Sequence, residues 1–478
     1  MTIIIKNCFF PDFKKKQMCF GNVEVRESKI HRIENVFEYG RLLSSTIIDE
    51  ACSKISKQPF NNELCNLEQA RVIDAKGKVL SPGFIDIHMH EEDFLNEGEE
   101  YVISKMMVLQ GVTTCIAGQC GVQKQPVSKF REVIEKKGGA PVNYMIMTGY
   151  NAKRTAMGIG RHEEPTASQL EILKEQVRQE VKEGAAGISF GIEYDPGMTT
   201  EEIIEIVKSV EDDYIMVAAH YRADGEKAIE AIEEMIEIQR RTGKNFQISH
   251  LSSCSAMGNM GEALHIINNE IRRNPKLNYD TYPYNAFSTT IGSEVFEEGC
   301  LEGWHKTYSD ILLTDEPYKN VRCSEKIFKE CRANYPEMLA VAFVMNEDEI
   351  AMAAVNEYGM IASDGIINHG NGHPRAAGTF PRFIGKYVRE ENRISLLSAL
   401  EKVTKMPASR MELKGKGEIK IGYDADLVLF DYEKIRDGAT FENINIPPVG
   451  IEFVMVAGEI GVENNNILQS NLGRFIAH

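Results

Sequence analysis

Short apolar runs and amphipathic segments alternate through the middle of the chain. Strand-like runs end near residues 90, 119, 150, 193, 220, 251, 283 and 365. A helix is predicted over 170–181, because Thr166 and Gln169 before it have the spacing of a capping box. Another is predicted over 227–238, where four apolar residues share one face. Eight strands alternating with helices predict an α/β protein with a (β/α)8 TIM-type barrel over residues 80–411.

The two ends of the chain have a different pattern. Residues 3–5, 23–25 and 453–456 are rich in β-branched and apolar side chains and are bounded by turn-forming residues. Such segments predict short strands. Because strand-rich ends surround a different middle, we expect a small β-sandwich domain built from residues 1–79 and 412–478 together.

The interval between the seventh and eighth predicted strands is longer than the other intervals. It contains Trp304, which is the only tryptophan of the chain. A connection of this length in a compact domain usually carries its own structure or a function. We therefore predict an insertion over about 286–350 that forms a lid or subdomain before the last barrel strand.

Composition excludes several classes of protein. The 478 residues carry a formal charge of -17, and no basic stripe of the kind that binds nucleic acid is present. The sequence lacks a signal peptide and a long apolar run, so no membrane span is expected. The ten cysteines are scattered without a CxxC pair. This usage is typical of a reducing cytoplasm, with one or more thiols free to bind a metal.

Candidate metal ligands occur where the predicted strands end. Residues two apart on a strand face the same side, so His88 and His90 would point together. A lone histidine is more often a satisfied polar residue than a ligand. However, in a barrel the C-terminal ends of all strands converge on one mouth. The side chains at predicted strand ends that would meet there are His88, His90, Cys120, His220, His250 and Asp364.

The types of these side chains indicate zinc and hydrolysis. Imidazole and thiolate suit zinc better than magnesium or calcium, which prefer oxygen ligands. Zinc lowers the pKa of a bound water and polarises a carbonyl group. Asp364 is our candidate for the general base that takes the proton of the water and delivers it to a leaving nitrogen. No P-loop or dinucleotide fingerprint is present.

The motifs resemble those of a known group of enzymes. Residues 82–90 are similar to the first metal motif of the amidohydrolase superfamily, and residues 111–121 to the second-strand motif of its D-aminoacylases. In the D-aminoacylases a cysteine replaces the carboxylated lysine of many relatives. Further segments that resemble this family are 191–197, 248–250, 280–284, 363–365, 373–375 and 402–429.

The resemblance implies roles for individual residues. It implies a tight zinc on Cys120, His220 and His250. A second, weaker metal near His88, His90 and Asp364 is left open. The residues whose positions match substrate contacts of the family are Tyr194, Tyr284 and Arg375.

One position departs from the family pattern. Ser252 stands where the deacylases usually have a lysine that helps to hold the substrate carboxylate. A cation is thereby replaced by a neutral hydroxyl group. Either Arg375 alone holds the carboxylate, or the substrate differs from a simple N-acyl-D-amino acid.

The predicted function is zinc-dependent hydrolysis of a linear amide, most specifically of an N-acyl-D-amino acid. The alternatives are a cyclic-amide hydrolase of the hydantoinase or dihydroorotase kind and a non-catalytic barrel scaffold. The expected partner is a small amide that carries a carboxylate, with homo-oligomers left open.

Overall fold

The structure is a computed structural model of the chain. It describes residues 2–40, 46–48, 50–51, 70–96, 98–213 and 215–478. The strands, in chain order, are β1 (Thr2–Asp12), β2 (Gln17–Arg26), β3 (Lys29–Tyr39), β4 (Ala70–Asp74), β5 (Val79–Pro82), β6 (Phe84–Asp86), β7 (Val112–Ala117), β8 (Asn143–Ile146), β9 (Thr148–Gly149), β10 (Gly187–Gly191), β11 (Met216–His220), β12 (Asn245–Ile248), β13 (Leu277–Thr281), β14 (Phe287–Thr290), β15 (Ile311–Leu313), β16 (Leu339–Ala342), β17 (Met360–Ile361), β18 (Ile367–Asn368), β19 (Asn371–Gly372), β20 (Leu427–Phe430), β21 (Ile451–Val456), β22 (Glu459–Glu463) and β23 (Asn466–Ile467).

The α-helices of the described residues are α1 (Ile103–Leu109), α2 (Val127–Lys136), α3 (Tyr150–Ala156), α4 (Ala167–Lys182), α5 (Thr200–Lys208), α6 (Ala228–Thr242), α7 (Leu251–Ser255), α8 (Met260–Arg273), α9 (Cys300–Gly303), α10 (Glu325–Asn334), α11 (Glu347–Val355), α12 (Arg375–Arg382), α13 (Leu396–Val403) and α14 (Lys405–Arg410). Within these residues, no helix combines the length and apolar character that a membrane span requires. Both helices expected from the sequence are present, as α4 and α6, and Thr166 and Gln169 form the predicted capping box.

Strands from both ends of the chain share one mixed sheet. Its order is β23-β22-β21-β20-β5-β1-β2-β3, with β4 paired to β1. The C-terminal strand β20 joins the N-terminal part through antiparallel pairing with β5. Apolar side chains of both parts pack together, including Ile3, Ile5, Val23, Leu427 and Phe453. The two ends therefore share a core, whereas the two-layer sandwich and the boundaries at 79 and 412 stay predictions.

Parallel strands form the middle of the molecule. One sheet has the order β6-β7-β8 and another the order β17-β13-β12-β11-β10-β9, with parallel pairing throughout. Only Met147 separates β8 from β9, and its amide donates to Ala117 of β7 at 2.8 Å. An isolated parallel bridge between Met89 and Gly365 joins the segment after β6 to the segment after β17. The helices between these strands make the fold α/β.

Some of the strands that carry candidate ligands end earlier than the sequence pattern indicates. β6 ends at residue 86 instead of 90, β12 at 248 instead of 251, and β17 at 361 instead of 365. The backbone then turns sharply at the ligands. The φ angles are 56° at Cys120, 35° at His250 and 50° at Asp364. These left-handed values are incompatible with extended strands, and they aim the three side chains across the ends of the sheets.

The predicted insertion contains a small sheet of its own. Strands β14, β16 and β15 pair antiparallel in that order. Trp304 is buried against Phe287 and Phe296, with ring centroids 5.4 and 5.9 Å away. Its indole nitrogen donates to Asp224 at 2.9 Å, so the insertion touches the loop that follows β11.

Candidate metal centre

Four buried side chains from four different strand ends meet in one group. The ligand atoms of His88, Cys120, His250 and Asp364 all lie within 4.8 Å of one another. The Cys120 sulfur is 3.4 Å from His88 Nε2 and 3.3 Å from His250 Nε2. A thiol, imidazoles and one carboxylate at such spacing form the donor set that zinc prefers. These residues therefore fit a zinc ion.

Two further predicted ligands lie at the edges of this group. His220 Nδ1 is 3.0 Å from His250 Nε2, and His90 Nε2 is 3.3 Å from Asp364 Oδ1. Both side chains are buried. The structure thus brings together all six residues that the strand-end argument selects.

Asp86 ties the first and the last parallel strands together beneath the site. Its Oδ1 accepts hydrogen bonds from the amides of His88 (3.2 Å) and Ser363 (2.9 Å). Its Oδ2 accepts one from the Ser363 hydroxyl at 2.5 Å. Complete burial raises the pKa of Asp86 to about 7 in spite of these donors. The cross-link holds His88 beside Asp364, whose amide in turn donates to the His88 carbonyl at 2.8 Å.

The charges of the group favour a cation at its centre. Burial opposes ionisation of Cys120, yet His88 and His250 lower the pKa of its thiol well below the usual value. Burial likewise opposes ionisation of Asp364, but Arg375 and the histidines lower its pKa well below the usual value. The group thus contains a thiolate and a carboxylate, the ionised forms that bind metals.

Arg375 lies beside Asp364 in the same buried region. Its Nη1 is 2.8 Å from Asp364 Oδ2, and its Nη2 donates to the Ser288 carbonyl of the insertion at 3.0 Å. The guanidinium carbon lies 4.7 Å from the centre of the Tyr282 ring, in cation–π contact. A fully buried arginine with one ion-pair partner leaves donors for a bound anion.

Polar groups also lie beside the outer nitrogens of three of the imidazoles. Asp280 Oδ1 is 3.3 Å from His88 Nδ1, and Ser253 Oγ is 2.7 Å from His250 Nδ1. Glu193 Oε2 is 2.7 Å from His220 Nε2. These three partners were not predicted from the sequence. Asp280 and Glu193 carried a usable signal, because each is an acidic residue near a predicted strand end within a family motif, whereas Ser253 offered none of that kind.

The predicted substrate contacts lie at different distances from the group. The Tyr194 ring packs against His220 at a tilt of 38°, with centroids 4.5 Å apart. The Tyr284 hydroxyl donates to Asp437 at 3.3 Å, and its described contacts include no member of the metal group. Ser252 is fully buried, and its hydroxyl pairs with Thr281. The structure therefore places Tyr194 and Arg375 at the site, but neither Tyr284 nor Ser252 contacts it.

Comparisons with known proteins agree with this site. The family model described as the amidohydrolase family matches residues 79–461. The chain is 29% identical to a D-aminoacylase of Alcaligenes xylosoxydans xylosoxydans over 439 residues, 85% of this chain and 88% of that one. An N-acyl-D-glutamate deacylase of the same organism is 27% identical over 81% of this chain and 84% of its own. A solved D-aminoacylase with a binuclear metal centre superposes with a TM-score of 0.83 at 26% identity, covering 100% of this chain and 99% of that one. The chain therefore belongs to the amidohydrolase family.

Proposed function

We propose that this protein is a zinc-dependent hydrolase that converts an N-acyl-D-amino acid and water into a carboxylate and a D-amino acid. The observation that carries the proposal is the buried group of His88, Cys120, His250 and Asp364, with Arg375 paired to that aspartate. A metal-binding group and an anion-binding arginine are what hydrolysis of an acylated amino acid requires. The deacylase relatives support the choice of substrate.

In this proposal, Cys120, His220 and His250 would hold one tight zinc. His88, His90 and Asp364 would hold a second, weaker metal. When bound, zinc supplies Lewis acidity, which lowers the pKa of a water molecule and polarises a carbonyl. The sulfur of Cys120 is 3.4 Å from His88 Nε2 and 3.3 Å from His250 Nε2, so it contacts one histidine of each set.

Asp364 performs the proton transfer in this proposal. Its Oδ1 faces His88 and His90 at 3.4 and 3.3 Å, and its ionised state allows it to accept a proton from the attacking water. It then delivers that proton to the leaving nitrogen. Arg375 holds the substrate carboxylate through its planar donors, and Tyr194 forms a wall of the site beside His220.

We also propose how the fold presents the site. The parallel strands from β6 to β17 close into a (β/α)8 barrel over residues 80–411, supported by the bridge between Met89 and Gly365. The insertion at about 286–350 covers the mouth, because Ser288 touches Arg375. Residues 1–79 and 412–478 form the accompanying β-sandwich domain.

The cytoplasm remains our proposed location. All eight cysteines for which the structure describes a state are free thiols, as a reducing compartment would leave them. Within that compartment the proposed partner is the small amide substrate alone. The proposal leaves the oligomeric state open, and a measurement of molecular size in solution would determine it.

Hydrolysis of paired substrates tests the function. The zinc-loaded protein is assayed on N-acetyl-D-amino acids, their L-enantiomers, hydantoins and other cyclic ureides. We expect release of the amino acid from D-substrates only. Activity restricted to rings would establish the cyclic-amide alternative instead. A purified protein without zinc by elemental analysis and without turnover would support the scaffold alternative.

A further inference from the structure

The outer nitrogen of His220 has a charged partner. His220 Nε2 lies 2.7 Å from Glu193 Oε2, while Nδ1, on the opposite side of the ring, lies 3.0 Å from His250 Nε2. An ionised carboxylate only accepts hydrogen bonds, so Nε2 must carry the proton. The lone pair of Nδ1 then faces the metal group.

Two tyrosine rings also pack against His220. The Tyr221 ring stacks on it with centroids 4.2 Å apart, and the Tyr194 ring lies 4.5 Å away at a tilt of 38°. The amide of Glu193 donates to the Tyr221 carbonyl at 3.0 Å, which fixes the Glu193 loop against the end of β11. The ring and its carboxylate are therefore preorganised as one unit.

Glu193 has no other partner that explains its position. Its side chain is 14% exposed, and within the described residues no lysine or arginine forms an ion pair with it. The similarly enclosed carboxylates of Glu180 and Glu202 are paired with Lys153 and Arg154. An enclosed carboxylate without a cation is costly unless hydrogen bonds compensate its desolvation, and the side-chain contact of Glu193 is the one with His220 Nε2.

His220 and His250 differ in the charge of the group beside the outer nitrogen. His250 Nδ1 is held by the neutral Ser253 hydroxyl, which itself accepts from the Tyr221 hydroxyl at 2.9 Å. His220 is held by a negative charge. A carboxylate on the outer nitrogen makes an imidazole a stronger donor to a metal, in addition to orienting it.

We propose that Glu193 is the positioning residue of His220, which fixes Nδ1 as its ligand nitrogen and strengthens its bond to zinc. This inference rests on the proposed zinc site. It assigns to Glu193 no contact with substrate and no part in proton transfer.

The test is the zinc dissociation constant of the full-length protein, measured by competition with a chromophoric chelator. The variant Glu193→Gln keeps the size of the side chain and removes its charge. We expect its zinc dissociation constant to rise about 10- to 100-fold. The variant Glu193→Asp, which keeps the charge, is expected to recover part of this loss.

Glu234→Gln is the matched control. Glu234 also has a 14% exposed side chain, but it pairs with Arg222 at 2.7 Å and not with a histidine. We expect its zinc affinity to equal that of the wild type. The visible spectrum of the cobalt-substituted protein provides a second measurement, and we expect its bands to shift in Glu193→Gln and not in Glu234→Gln.

Two results would overturn the inference: zinc affinity of Glu193→Gln within twofold of the wild type, or an equal loss in Glu234→Gln. Thermal unfolding of the metal-free variants shows whether the fold is intact. Because zinc binding is measured without substrate, the inference stands if the expected loss is found in a protein that hydrolyses no N-acyl-D-amino acid. That outcome would contradict the proposed function alone.

Discussion

Replacing Asp364 with asparagine removes one charge from the centre of the site and preserves the shape of the side chain. An asparagine cannot take a proton from water at neutral pH, so the proposed general base is lost. His88, Cys120, His220 and His250 remain to hold zinc. We therefore expect turnover to disappear while the metal stays bound.

The expected losses of turnover and of stability follow from the role and the environment of Asp364. Loss of a positioned general base lowers kcat by about 10²- to 10⁴-fold. The ion pair with Arg375 is almost fully enclosed, with side-chain exposures of 8% and 1%. Breaking a buried pair and leaving its cation costs about 3 kcal/mol or more. For 478 residues the entropy of unfolding is about 1 kcal/mol/K, so Tm falls by about 3 °C.

A second variant tests the stability effect alone. In Asp364→Asn combined with Arg375→Met, the cation that Asp364 paired with is also removed, so Tm is expected to return toward the wild-type value. Turnover is expected to stay absent, because the proposed general base and the proposed substrate-binding arginine are both missing. D-amino acid release, zinc content and thermal unfolding are measured for both variants. Wild-type rates in Asp364→Asn would refute the assignment of the general base.

Three further outcomes are expected. Asp280→Asn removes the carboxylate beside His88 and is expected to raise the zinc dissociation constant at least tenfold in chelator competition; an unchanged constant would contradict this. Burial lowers the pKa of His220, but Cys120 and Glu193 raise it to about 9, and zinc must displace that proton; calorimetry between pH 6 and 8 should therefore show affinity rising about tenfold per pH unit, and a flat profile would count against it. Burial lowers the pKa of Lys402 to about 7. The destabilisation from burying this amine is therefore complete below pH 7, and it disappears as the pH approaches the pKa of lysine in the unfolded chain, about 10.4. The stability of the wild type should rise over that range by up to about 1.4 kcal/mol per pH unit, and Lys402→Met should show a smaller slope in pH-dependent melting.

The metal ligands were predictable because only their positions along the chain are needed. A histidine or cysteine at the end of a parallel strand reaches the common edge whatever its neighbours are. His220 follows the apolar run 215–219, and His250 follows the alternating strand-like segment 245–249. Helix α4 was predictable for a similar reason, because its capping box is formed by residues close in sequence.

The outer partners of the histidines were not predictable in the same way. Ser252 and Ser253 are adjacent and chemically identical, yet one binds Thr281 and the other binds the His250 ring. The difference arises because α7 begins directly after His250, so a residue three positions on returns beneath that ring. The pairing of Glu193 with His220 depends likewise on how the loops after β10 and β11 meet, which no local sequence pattern specifies.

The position of Ser252 differs from the one that the family resemblance implies. The resemblance assigns its position to substrate contact, but here the side chain is turned toward the strand β13 and has no exposed surface. The loss of the family lysine therefore leaves a position that does not contribute to the site. In the proposed function, the charge for a substrate carboxylate therefore comes from Arg375 instead.

The cross-link beneath the site has a consequence for folding. Asp86 and the Ser363 amide that donates to it at 2.9 Å are separated by 277 positions in the chain. Contacts of such long range form late, because the entropy of closing the intervening loop must be overcome first. A nascent chain that has emerged only to β13 contains Cys120, His220 and His250 but lacks Asp364, so the six-residue group cannot be complete before β17 has formed. We expect metal bound to the complete group to slow unfolding.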